Sequence, residues 1–74
     1  MSEPALVLDT PLVVSPNHAM KALMVSRATL YGLINARELE SYTEGRSRRI
    51  TVESINAYVR RRLAEEAKRR GSAA

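Results

Sequence analysis

The spacing of apolar residues changes along this chain, and each change marks a new element. Residues 1 to 11, with Pro4 and Pro11, carry no sustained period and predict an irregular or partly extended arm. "LVV", Leu12 to Val14, is a short β-branched run that predicts an edge strand. Ser15 followed by Pro16 is a helix start: the serine oxygen can accept from open amides, and proline at the first helical position loses no hydrogen bond. Ala19, Ala22 and Leu23 then recur at helical spacing, which predicts a first helix of about eight residues. After a very short turn at Met24 and Val25, Ser26 caps a second helix in "RATLYGLINAR", with Leu30, Leu33 and Ile34 on one face. The period then drops to two. "LESYT" and "SRRI" flank Glu44, Gly45 and Arg46 as two short strands around a glycine turn. Thr51 caps a third helix whose apolar stripe is Val52, Ile55, Tyr58, Val59 and Leu63. Beyond Leu63 the stripe stops, and "AEEAKRRGSAA" predicts a solvated helical extension with a flexible tail, braced by Glu65–Arg69 and Glu66–Arg70 at i,i+4.

Helix, tight turn, capped helix, basic hairpin and closing helix is the order of a winged helix-turn-helix, mainly α with a small two- or three-stranded antiparallel wing. The predicted layout is an arm over 1–11, the domain over 12–64, and the extension and tail over 65–74. A chain of 74 residues holds one small core. With no cysteine, neither a disulfide nor a cysteine metal site can staple it, which fits a reducing, cytoplasmic setting. The opening "MSEPALVLDTPLVV" has acids at Glu3 and Asp9 and no basic n-region, so neither a signal peptide nor a transmembrane helix is expected.

Charge changes the picture. The formal net charge is +4, and it runs from −1 over residues 1–26 through +2 over 27–50 to +3 over 51–74. A basic C-terminal two thirds suggests a polyanionic partner, because neutralising phosphates releases counterions. Arginine outnumbers lysine ten to two. This has two readings: planar forks suited to phosphates and bases, or a GC-rich genome, which would also favour the ten alanines.

On a helical wheel of about 100° per residue, turning Leu30, Leu33 and Ile34 inward centres the opposite face of the second helix on Ala28, Gly32 and Asn35. Ser26, Arg27, Thr29 and Tyr31 lie at its start and flanks. Ala28 and Gly32 have almost no side chain, so the backbone can approach a groove closely while offering few donors. Asn35 is the candidate for pairing with adenine, Ala28 can meet a thymine methyl, and Arg27 can reach guanine or phosphate. Each has a structural alternative: Gly32 relieves crowding, Tyr31 packs at the core edge, or Asn35 caps the helix end. In the hairpin, alternation aims Ile50 inward and Arg49 outward, with Arg46, Ser47 and Arg48 at or near the tip. An arginine on a narrow hairpin can enter an A·T-rich minor groove; the alternative is a merely solvated hairpin. Arg60, Arg61 and Arg62 read first as a solvated face with glutamate partners rather than as a DNA contact, and second as a surface for another protein.

Together, "LMVSRATLYGLI", "REL", "GRSRRI" and "TVESINAYVRRR" resemble the excisionase-type, MerR-like winged helix-turn-helix domains of phages and mobile elements, from Val14 to about Leu63. The resemblance implies DNA binding and bending near attachment-site arms, cooperation with a tyrosine integrase, excision of a prophage in a bacterial host cell, and often local repression. The thin base readout of the second helix separately suggests that neighbouring copies bind side by side and that DNA deformability adds specificity. Thr29 and Tyr31 read as phosphate contacts, as a tyrosine does in the family. The chain departs from the family pattern at Met24 and Arg37, where glycine is common, and at Gly32, where a long polar residue is frequent.

Other classes find little support. His18 is the only histidine, no glycine-rich phosphate loop is present, and the carboxylates are dispersed, so no catalytic residue, metal site or cofactor is expected. The alternatives to an excisionase are a small MerR-like repressor and a protein-interaction adaptor using the basic third helix. A membrane-surface helix is disfavoured, since the stripe lacks Trp and Phe.

Overall fold

A computed structural model describes residues 11–73. The expected arm lies almost entirely outside the described residues. The elements run β1 (Val13–Val14), α1 (Pro16–Leu23), α2 (Arg27–Asn35), β2 (Ser41–Glu44), β3 (Ser47–Thr51) and α3 (Val52–Ala73). The architecture is a winged helix-turn-helix of three helices and a three-stranded antiparallel sheet in the order β1-β3-β2.

The caps form as the local chemistry requires. Ser15 Oγ accepts from the His18 N–H at 3.2 Å, and Ser26 Oγ from the Thr29 N–H at 3.2 Å. Thr51 ends β3 and also starts α3, its Oγ1 accepting from the Ser54 N–H at 3.2 Å. Each such cap is worth about 1 kcal/mol. Helices α1 and α2 both end in a left-handed residue that is not glycine: Met24 at φ 57° and Arg37 at φ 65°. After α1 the Val25 N–H reaches Met20 O at 3.0 Å, and after α2 the Glu38 N–H reaches Leu33 O at 2.9 Å. These six-to-one bonds define the Schellman motif and satisfy carbonyls the helices leave open. The turn geometry therefore survives both departures from glycine, at a cost of about 1–2 kcal/mol each.

The core is Ala19, Leu30, Leu39, Ile50 and Ile55, with Val14, Met20, Leu23, Val25, Tyr31, Leu33, Ile34 and Tyr58 packed around it. Leu30 and Ile50 are fully enclosed, each contributing about 1.5–3 kcal/mol by burial. Central strand β3 holds the sheet together. Val14 and Ser41 both pair with Ile50, so the two outer strands flank the same buried side chain.

Five expectations are corrected. Helix α2 stops at Asn35 rather than running through Arg37, because Ala36 and Arg37 turn the chain into the Schellman motif. Strand β2 starts at Ser41, not Leu39; Leu39 turns into the core just before it. On α1 Met20, not Ala22, joins the packed face. The stripe on α3 packs only as far as Tyr58, leaving Val59 39% and Leu63 64% exposed, because the helix runs past the small core. The helical extension expected beyond Leu63 is part of α3, which runs to Ala73. Along that extension Glu65 pairs with Arg62 at 3.2 Å instead of Arg69, while Glu66 meets Arg69 at 3.7 Å and Arg70 at 4.0 Å.

Candidate nucleic-acid interface

The short turn at Met24 and Val25 sets α2 beside α1, and the hairpin returns β3 along α1, so three separate chain segments meet at one cleft. Ser15, Asn17, Arg27, Tyr31, Thr43, Arg46, Ser47, Arg48 and Arg49 line it. Four of these are arginines and none is acidic. Four guanidiniums always carry their charge, and without an acid among them they raise the affinity of the cleft for an anion such as phosphate.

The cleft is partly pre-arranged. Arg27 donates through Nη2 to Asn17 Oδ1 at 3.0 Å, which holds its fork at the start of α2. Arg48 donates through Nη1 to Ser41 Oγ at 2.8 Å. The strand pairs Thr43–Arg48 and Ser41–Ile50 place Arg48 on the same sheet face as Ile50. Arg48 is accordingly half-buried along the wing rather than projecting from its tip. Arg46 is the tip arginine: it shares the two-residue turn with Gly45 and is exposed. Gly45 has φ 63°, the left-handed geometry that a tight hairpin turn demands. Arg49, opposite Tyr42, is half-buried, and Ser47 is exposed.

On α2, Ala28, Thr29, Gly32 and Asn35 are exposed, as the helical wheel predicts. Ser26 and Thr29 are hydroxyl partners at 3.0 Å in addition to their capping bond. Tyr31 packs against the core and also borders the arginine cleft. No crowding explains Gly32: a Cβ placed there meets nothing within 4 Å. Asn35 belongs to a second cleft, at the other end of α2, with Ile34, Arg37, Glu40 and Tyr42.

Asn17 and Arg37 line the two clefts without belonging to the expected contacts. Asn17 lies ten residues from Arg27, a separation without a local signal. Arg37 was read only as a departure from glycine.

The third helix is tied to the segment just after α2 rather than to the clefts. Arg61 meets Glu38 Oε1 at 2.7 Å and Glu38 O at 3.3 Å, and its guanidinium lies 5.9 Å from the Tyr58 ring centroid. Arg61 and Arg62 thus have glutamate partners. Among the described residues no group of three or more His, Cys, Asp or Glu could hold a metal ion, and no helix is long and apolar enough to cross a membrane.

A family model described as a helix-turn-helix domain matches residues 13–63. No curated protein and no solved structure matches the chain.

Proposed function

Because the chain belongs to the helix-turn-helix domain family, a family that includes excisionase-like DNA-binding proteins, we propose that it is a DNA-binding and DNA-bending excisionase that turns a tyrosine integrase toward excision. The observation that carries this reading is the cleft between the start of α2 and the wing, with four arginines and no carboxylate. Arg27 and Arg48, both anchored by neighbours, hold a phosphodiester strand. Arg46 at the exposed turn enters the adjacent minor groove. The face of α2 adds little base reading of its own, since Ala28 and Gly32 offer no donors and Asn35 stands nearly alone.

Strong backbone binding with thin base readout suits an architectural factor. Such a protein gains specificity from the deformability of its site and from several copies bound side by side, more than from one monomer site. The partners in this reading are duplex DNA at attachment-site arms, the integrase and neighbouring copies of the chain.

Two measurements test it. About five phosphate contacts predict a slope near −4.5 for log affinity against log salt on duplex DNA. In a recombination assay with purified tyrosine integrase and attachment-site substrates, the chain is expected to stimulate excision over integration. Salt-sensitive binding without stimulated excision returns the chain to a small repressor; binding that is absent at every salt concentration rejects the DNA reading.

A further inference from the structure

Helix α2 makes two backbone choices that run against local preference. Gly32 stands in the helix interior, where alanine is favoured, and Arg37 stands at the left-handed end, where glycine is favoured. Exchanging the preferences would stabilise both positions. Among the described residues neither has a side-chain contact that accounts for it: the space beside Gly32 is open, and the Arg37 side chain makes no hydrogen bond or ion pair. The left-handed conformation alone does not identify a contact, since Met24 shares it. Arg37 differs from Met24 by its charge and by its place. It borders the same cleft as Asn35, which lies on the outward face of α2.

We propose that Arg37 is an additional DNA-contacting residue, which fixes a phosphate just beyond the C-terminal end of the recognition helix. This inference rests on the DNA-binding reading. Arg37 lies past the last helical residue and so addresses the strand at the groove edge rather than a base inside it. Arg27 at the start of α2 and Arg37 beyond its end then hold the helix at both ends, while Gly32 lets the bare middle approach the bases. Glu40 lines the same cleft, and its carboxylate offsets part of the attraction that Arg37 offers an anion there.

The test uses the full chain and two duplexes: one selected by the unmodified chain from a randomised pool, and one unrelated mixed sequence. Arg37→Gly is expected to raise the thermal midpoint, by relieving the left-handed strain, and to weaken binding to both duplexes about fivefold. It should also make the salt slope shallower by about 0.9, the value of one phosphate contact. Arg37→Lys should keep the slope. A merely structural role predicts the opposite pairing: a lowered midpoint, or an unchanged slope and affinity. Either result overturns the proposal while leaving the DNA-binding reading intact, whereas failure of the unmodified chain to bind either duplex removes both.

Discussion

Gly32 shows what one residue can reveal. A glycine within a helix costs about 1 kcal/mol relative to alanine, and the open space beside this one removes crowding as its explanation. We expect Gly32→Ala to stabilise the fold by up to about 1 kcal/mol in chemical denaturation, while weakening binding to the selected duplex more than to an unrelated one. An equal effect on both duplexes would mean that Gly32 does not face the bases. The sequence made Gly32 conspicuous but could not decide between crowding and contact, because that depends on what surrounds its Cα. Leu39 was illegible for a related reason. It is a lone leucine in a polar stretch, buried at 2% exposure only because the chain turns inward after Arg37.

Among the elements, the wing combines the plainest local signals with the least predictable orientation. Gly45 between two short alternating runs specified a hairpin, and it forms with a Gly45–Arg46 turn. The roles of its arginines depended on register. Pairing Thr43 with Arg48 puts Arg48 on the Ile50 face and within reach of Ser41, leaving Arg46 as the exposed turn arginine. This separates two predictions. Arg46→Ala should lower affinity most on A·T-rich duplexes, whose narrow minor groove attracts arginine. Arg48→Ala should lower it evenly on A·T-rich and G·C-rich duplexes and reduce the salt slope by about 0.9. Parallel titrations on both duplexes check this, and indistinguishable profiles for the two variants would remove the division between tip and flank.

At the level of the whole molecule, the core is confined to one end of a long helix. Residues 59 to 71 of α3 are all exposed, and six of the twelve lysines and arginines lie there. The ion pairs on this stretch join exposed side chains and add little stability beyond what helix continuity supplies. Leu63→Glu is therefore expected to leave the unfolding free energy within about 0.5 kcal/mol of the unmodified chain, as for most surface changes. Ile50→Ala, at the centre of the sheet, should cost about 2–5 kcal/mol. A loss of several kcal/mol for Leu63→Glu would show that the outer half of α3 is covered after all.

The sequence by itself determined the order of elements, the helix caps at Ser15, Ser26 and Thr51, the glycine turn, and which residues share a face on α2 and α3. These follow from interactions between neighbours a few positions apart, through hydrogen bonds to open amides, period and backbone preference. Only the tertiary structure decided which of those faces are covered. It gathered Asn17, Arg27, Arg46 and Arg48 from three segments into one cleft, turned Arg48 along the wing, and left Val59 and Leu63 outside the core. Periodicity reports that side chains point the same way. Whether another element meets them there depends on contacts between residues far apart in the chain.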